Sequence, residues 1–288
     1  MRMYFKLTSN KWKIDKLINS YYLKNSSWLA LAQILNALFG LLITVVFARV
    51  ASQQLFGNYN LLISIFAFFS LFSMPGFNLS LLRSVSRGYE GVYIKAAKLS
   101  FFWSLLGVPF LIIIGIYYIN INYYMGMAFI VSSFFFPLYY STGSWSSLLQ
   151  GRGDFRKFMF YFVMRSSINA LSIIVCIFVT NNIFVIFLAY VIPFSLVNII
   201  LFLINWKAIR NMRDDKIWRS GGYKLTGFTF LSFIYDYLDK IIIGILLGPI
   251  NLAIYSISAS IVIKLRSLTK ETLKVISPRI FLSEGIIR

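Results

Sequence analysis

Apolar residues form eight runs of roughly 20 positions along the chain, separated by short polar or basic segments. A run of this length matches the thickness of a bilayer, so each predicts one transmembrane helix. Short turns such as Thr180–Asn182 make neighbouring helices antiparallel. The pattern predicts an all-α, polytopic integral membrane protein with about eight transmembrane helices. The runs lie near residues 28–50, 59–82, 99–119, 123–149, 158–180, 183–205, 226–247 and 252–276.

Lysine and arginine residues alternate between the two sides of the predicted helices. They precede the first run and follow the second, fourth and sixth runs, whereas the connections after the third, fifth and seventh runs contain none. Basic residues concentrate in the cytoplasmic loops of membrane proteins. The alternation therefore predicts that both termini and all the basic connections face the cytoplasm.

The composition agrees with a membrane protein. Hydrophobic residues make up 59% of the 288 positions, and the mean hydropathy is +0.75. A net charge of +19 would indicate a nucleic-acid partner in a soluble protein. Here the basic connections account for most of that charge, so we expect the lipid bilayer, and no nucleic acid, as a partner.

Several kinds of chemistry have no support in the sequence. Histidine is absent and Cys176 is the single cysteine, so neither a disulfide framework nor a metal site is expected. No G-x-x-x-x-G-K-[ST] phosphate-binding loop is present. The acidic pair Asp214–Asp215 lies in a basic connection and is expected to be a solvated charge patch. We predict no cofactor and no enzymatic activity.

Three charged residues interrupt the seventh apolar run. Asp236, Asp239 and Lys240 are spaced so that they share one arc of a helix. Charge inside a membrane is unfavourable unless it faces a partner or a watery cavity. Two interpretations are open. Asp236 and Lys240 neutralise each other and fix helix packing, or the three residues line a cavity that receives a proton, an ion or a sugar.

Further basic residues lie within or beside the predicted helices. Lys264 and Arg266 begin a cationic stripe in the eighth run, which would suit a diphosphate or would simply be cytoplasmic charge on a protruding helix. Arg165 lies about 10 Å along the fifth run, where a carbonyl or a lipid phosphate is the expected partner. Arg83 and Arg279 are expected to mark a cytoplasmic rim.

An ungapped alignment of the chain with itself indicates an internal repeat. Residues 50–65 align with residues 246–261, which superposes Tyr59 on Tyr255 and Arg83 on Arg279. A repeat after six spans predicts two related lobes. The expected organisation is a basic interfacial segment at 1–27, a six-helix lobe at 28–205, a basic linker at 206–225 and the first two helices of a second lobe at 226–288.

Four stretches carry a resemblance to a known family. They are FARVASQQLFGNYNLLISI, GFNLSLLRSVSRG, LLQGRGDFRKFMFY and YDYLDKIIIGILLGPINLAIYSIS. In order and spacing they resemble the Wzx-type oligosaccharide flippases of the MOP exporter superfamily, relatives of the MATE exporters. Because such proteins usually have twelve or more helices, the chain is expected to be a fragment, a truncated gene product or a short version.

The resemblance implies a function as well as a fold. It implies a bacterial inner-membrane transporter that moves an undecaprenyl-diphosphate-linked oligosaccharide to the outer leaflet for O-antigen or capsule synthesis. It also implies a polysaccharide polymerase and chain-length machinery as partners. The alternatives are a MATE-like exporter of small molecules, a membrane polysaccharide polymerase and a non-transporting truncated subunit.

Overall fold

The computed structural model describes residues 27–272, with side chains as far as Ser260 and at Val262. These residues form eleven α-helices, and no strand occurs among them. The prediction of an all-α fold is confirmed. The helices are α1 Ser27–Val50, α2 Gln53–Phe68, α3 Gly76–Ser86, α4 Val92–Ser104, α5 Gly107–Ile119, α6 Tyr123–Ser141, α7 Trp145–Arg152, α8 Phe155–Val179, α9 Ile183–Lys207, α10 Trp218–Ile242 and α11 Pro249–Thr272.

Six helical segments of the described range are long and apolar enough to cross a membrane. They comprise α1, α2 with its following turn, α4 with α5, α6 with α7, α8, and α9. Helix α10 falls outside this set because five charged residues interrupt its 25 positions. The count of eight transmembrane helices therefore remains a prediction.

The second predicted span, 59–82, is divided in the structure. Helix α2 continues as a 3-10 turn over Phe69–Ser73 and then stops. Met74 takes a left-handed conformation with φ of 54°, and Pro75 has no N–H to continue a helical ladder. Helix α3 begins at Gly76 and is short and amphipathic. It packs against α10.

The helices that the internal repeat equates lie against each other. Helices α2 and α11 begin at Gln53 and Pro249, which are 196 positions apart, as are the aligned residues Tyr59 and Tyr255. The two helices pack together, and a Cβ atom on Gly57 would lie 1.8 Å from the carbonyl oxygen of Pro249. Only glycine permits this approach. The interface between α2 and α11 thus joins the two segments that the predicted repeat equates.

Helix α10 packs closely on α3. The N–H of Gly76 donates to Thr226 Oγ1 at 3.1 Å, and Ser80 Oγ donates to the carbonyl of Trp218 at 2.5 Å. A Cβ atom on Gly222 would lie 2.0 Å from Phe77 Cδ1. These contacts fix α10 against helices α1–α9, which we call the first bundle.

A buried ion pair joins three turns at one end of the bundle, which we call the basic end. Arg152 donates two hydrogen bonds to the Glu90 carboxylate, at 2.8 and 2.7 Å, and both side chains are only 5% exposed. Arg152 also donates to the carbonyl of Ala208, and the N–H of Arg210 donates to Glu90. The turns after α3, α7 and α9 are therefore held together through one carboxylate.

The linker before α10 is anchored to the same end by its acidic residues. Asp215 is buried, accepts a hydrogen bond from Ser84 Oγ at 2.9 Å and lies 3.9 Å from the Arg87 guanidinium. Asp214 pairs with Lys95 at 2.5 Å in a more exposed position. The expectation of a solvated charge patch was wrong for Asp215, which is buried against Ser84 and Arg87. The position of an acidic residue in the linker does not show which side chains of another segment will contact it.

Replacing Gly222 by alanine is expected to destabilise the contact between α10 and α3. Its Cβ would press into the Phe77 ring, and such overpacking costs about 1–3 kcal/mol. Gly227→Ala is the matched control on the same helix, since a Cβ there meets nothing within 4 Å and gains helix propensity. The melting temperature of the purified protein should fall for Gly222→Ala and stay equal or rise for Gly227→Ala. Equal melting temperatures for the two variants would contradict this packing.

The Glu90 pair makes stability dependent on pH. Burial alone would raise the pKa of Glu90, but hydrogen bonds from Arg152 and Arg210, together with their charges, outweigh burial and lower that pKa. The contribution to stability is complete above the ordinary glutamate pKa of about 4.3 and is lost as the pH falls through the lower, folded-state pKa.

The variant Glu90→Gln is expected to lower the free energy of unfolding by about 3–5 kcal/mol at neutral pH, because it leaves Arg152 buried without its counter-charge. The difference from the wild type should shrink below about pH 4. Asp214→Asn, which removes a partly exposed pair, should cost at most about 1 kcal/mol. Thermal unfolding from pH 7 to pH 3 measures both, and a Glu90→Gln deficit that persists at low pH would exclude a carboxylate origin.

Candidate functional site

Arg165 lies in an aromatic cage inside the first bundle. It is ten residues from the start of α8, about 15 Å along the helix. Its Cζ atom lies 4.4 Å from the ring centroid of Phe194, 5.0 Å from that of Phe162 and 5.5 Å from that of Trp145. A guanidinium held over aromatic faces is attracted by the ring quadrupoles. The cage stabilises the cation without neutralising it.

Asn198 on α9 holds this cage together. Its Oδ1 atom accepts hydrogen bonds from Trp145 Nε1 at 3.0 Å and from Arg165 Nη1 at 3.3 Å. Its Nδ2 atom donates to the backbone carbonyl of Tyr139 at 3.2 Å, near the end of α6. One fully buried amide thereby ties together residues of α6, α7 and α8. The Nε atom of Arg165 is buried and has no hydrogen-bond partner.

No carboxylate of the described side chains pairs with Arg165. Four of the acidic residues lie at the basic end, and the other two lie on α10. Among the described side chains Arg165 therefore has no counter-charge, and a buried charge without one is unfavourable. No three His, Cys, Asp or Glu side chains are grouped to hold a metal ion in the described part of the chain. The acidic residues with described side chains are Glu90, Asp154, Asp214, Asp215, Asp236 and Asp239.

Tyrosine side chains lie beside the cage. Tyr139 donates a hydrogen bond to the hydroxyl of Tyr190 at 2.6 Å. The Tyr139 ring stacks on that of Phe194 with a centroid distance of 4.2 Å, and its centroid lies 4.8 Å from that of Tyr140. We call Tyr139, Tyr140 and Tyr190 the tyrosine layer.

The charged stretch of α10 is organised by its own helix and by α11. Asp239 Oδ1 accepts the N–H of Lys240, and Asp239 Oδ2 accepts a hydrogen bond from the hydroxyl of Tyr255. Lys240 interacts electrostatically with both Asp239 and Asp236, and its Nζ lies 5.9 Å from the Tyr237 ring centroid. The helix then widens into a π-helical turn over Ile243–Leu247. All three predicted charges are partly buried.

A sequence profile described as "Polysaccharide biosynthesis protein" matches residues 22–282, which is most of the chain. The chain belongs to this polysaccharide biosynthesis family. No curated protein sequence matches it.

A solved structure gives the fold a second reference point. A MOP superfamily transporter from Pyrococcus furiosus, described as having a binding pocket of reversed polarity that suggests a different function, superposes with a TM-score of 0.58 at 13% identity. The match covers 91% of this chain and 64% of the transporter. The likeness establishes the fold of this polysaccharide biosynthesis protein as MOP-like, and the chain spans about two thirds of the length of its structural relative.

The structure divides the predicted site residues into groups. Arg165 belongs to the aromatic cage of the first bundle. Asp236, Asp239 and Lys240 lie on α10. Arg83 lies in the last turn of α3, at the basic end. Lys264 and Arg266 belong to α11, but their side chains lie outside the described residues. Arg279 lies beyond residue 272 and so outside them as well.

Sequence reasoning missed the residues that build the cage. Asn198 and Tyr190 lie in one apolar run, close to Pro193, which interrupts the helical hydrogen-bond ladder of α9. An amide and a proline within a predicted transmembrane helix are a signal for a polar interior. The aromatic partners carried no such signal, because they are indistinguishable in sequence from the many lipid-facing rings.

Removing the Asn198 amide is expected to loosen the cage. The variant Asn198→Leu leaves buried donors on Trp145 and Arg165 without an acceptor, and each unsatisfied group costs about 1–3 kcal/mol. Asn205→Leu is the matched control, since Asn205 is equally buried on α9 but bonds only to its own helix, at Leu201. A thermal-unfolding series should show the larger loss at Asn198, and a larger loss at Asn205 would count against the network.

Proposed function

We propose that this protein moves a polyprenyl-diphosphate-linked oligosaccharide across the membrane, from the cytoplasmic to the outer leaflet, for the assembly of a surface polysaccharide. The observation that carries the proposal is the buried charge of Arg165, which pairs with no carboxylate in the described part of the chain. A cation retained in an apolar interior without a carboxylate is suited to an anionic cargo, and arginine matches the geometry of phosphate oxygens. Family membership and the MOP-like fold support a role in transport for polysaccharide synthesis.

The tyrosine layer would bind the sugar part of such a cargo. Tyrosine combines an apolar ring face with a hydroxyl, so it packs on a sugar ring and also hydrogen-bonds to sugar hydroxyls. Tyr190 of this layer and Tyr237 of α10 would contact the sugars while Arg165 engages the diphosphate. Lys240 on α10 would provide a second cation, and its neighbours Asp236 and Asp239 would moderate its charge.

The charges of α10 also separate two halves of the proposed transport path. Asp239 is bound by Tyr255 of α11, whereas Arg165 lies in the cage of the first bundle. A movement of α10 and α11 relative to the first bundle would therefore change the distance between Lys240 and Arg165. Alternating access by such movement needs no nucleotide site, and the driving force would be a gradient or the consumption of cargo.

The test is a change at Arg165 that removes charge while keeping volume. The variant Arg165→Met loses no ion pair, so its melting temperature is expected to equal or exceed that of the wild type. Transport is expected to fall at least tenfold, with complete repeat units accumulating on the cytoplasmic leaflet and surface polysaccharide lost. The readout is the leaflet distribution of lipid-linked oligosaccharide in the native host, with the gene deleted and each variant supplied in its place.

Arg156→Met is the matched control, because it removes one exposed charge from the same helix outside the cage. It should restore transport fully. If Arg165→Met also restores it, the proposed role of the cage is wrong. If deletion leaves single repeat units on the outer leaflet but unjoined, the protein acts as a polymerase, and if deletion changes nothing, it is a non-transporting subunit.

A further inference from the structure

A pocket lies at the end of the bundle opposite the basic end. It has a volume of about 800 Å³ and is formed by α2, α5, α10 and the turn before α11. This volume lies within the usual range for small-molecule sites. Its inner wall is apolar, with Leu61, Ile65 and Phe69 from α2 and its turn, and Ile114 and Ile241 facing them. The pocket is separate from the aromatic cage, and no residue of the tyrosine layer lines it.

The mouth of the pocket has an exposed apolar rim. Ile113 on α5 and Ile245 in the π-helical turn border it and are 62% and 58% exposed. Such apolar rims face hydrocarbon in a transmembrane protein. An apolar chain can therefore enter from the bilayer and lie along the inner wall.

Amide side chains are gathered at the outer end of the same pocket. Asn58 on α2 is only 8% exposed, lines the pocket and makes no side-chain hydrogen bond within the described part of the chain. Gln54, one turn earlier, is likewise without a side-chain hydrogen bond among the described residues. Asn122 uses its Oδ1 to accept from the N–H of Met125, which leaves its Nδ2 donor for a ligand. The Asn58 amide is therefore available to hydrogen-bond with a molecule that occupies the pocket.

The neighbouring residue Asn60 shows the difference. Asn60 lies two positions further along α2 and donates to the carbonyl of Phe56 at 2.9 Å, so its donor is satisfied within the helix. Asn58 has the same side chain on the same helix, but its amide faces the pocket. The unsatisfied amide is thus a property of the pocket and not of asparagine in this helix.

The pocket lining carries no charged residue among the described side chains. Amides both donate and accept hydrogen bonds, which suits hydroxyl groups and gives no advantage to a phosphate. We propose that this pocket binds a membrane lipid with an uncharged glycosyl head group, whose hydroxyls contact Gln54, Asn58 and Asn122 while one chain lies along Leu61 and Ile65. Such a lipid would touch both the first bundle and α10. The site is independent of the cargo proposed above, whose diphosphate would find no cation here.

The first experiment compares head groups on the intact protein in phosphatidylcholine nanodiscs. Two probes carry the same diazirine-bearing acyl chains, one as glucosyl diacylglycerol and the other as phosphatidylglycerol. After irradiation, mass spectrometry counts labelled protein and locates the labelled peptides. The glucosyl lipid is expected to label peptides of α2 and α5 at least about threefold more than phosphatidylglycerol.

Two variants with matched controls test the assigned residues. Asn58→Leu is expected to reduce glucosyl-lipid labelling about threefold to tenfold, whereas Asn60→Leu leaves it unchanged. Ile245→Trp narrows the mouth at an exposed position and is expected to reduce labelling by both lipids at these peptides. Ile116→Trp, on α5 at a position that is 56% exposed but outside the pocket, is its control.

Each contrary outcome overturns a defined part of the proposal. Equal labelling by both lipids would show an unselective lipid annulus, and stronger labelling by phosphatidylglycerol would reject the uncharged head group. Labelling unchanged in both Asn58→Leu and Ile245→Trp would reject the pocket. A polyprenyl-diphosphate probe that labels the same peptides more strongly than the glucosyl lipid would assign the pocket to the transport cargo instead.

Discussion

The bidentate ion pair between Glu90 and Arg152 is the contact on which the arrangement of the helices depends. It binds the turn after α3 to the end of α7 and, through Arg210 and Ala208, to the linker that leads into α10. A buried pair of this kind is stable only when its remaining hydrogen-bonding groups are satisfied, and here backbone groups of the linker satisfy them. The start of α10 is thereby fixed on α3, where Gly76 and Gly222 permit close approach.

The acidic residues with described side chains lie next to basic residues other than Arg165. Four acidic residues are used at the basic end to hold basic partners, and the two on α10 lie beside Lys240. None of the described carboxylates pairs with Arg165, which is stabilised by aromatic faces and the Asn198 amide. Aromatic rings stabilise a cation without cancelling its charge, so the proposed path of the phosphate is positively charged at this point.

The two proposed sites differ in polarity because they lie at different levels along the helices. The cage lies near the middle of α8 and α9, where Arg165 and the Asn198 amide are buried among aromatic rings. The lipid pocket lies where α2, α5 and α10 approach their uncharged turns, and its polar groups are amides alone. The pocket is bordered by α10, so the placement of that helix at the basic end affects the pocket. The π-helical turn at Ile243–Leu247 follows the charged stretch and contributes Gly244 and Ile245 to the pocket lining.

The sequence by itself determined the all-α class and the presence of charge on α10, because apolar run length and charge spacing are local properties. Only the tertiary structure decided that Asp215 is buried, that no described carboxylate pairs with Arg165, and that Asn58 lines a pocket while Asn60 does not. Those outcomes depend on which side chains distant segments bring together. Met74 and Pro75 divided a continuous apolar run, since backbone conformation and a missing N–H are invisible to hydropathy.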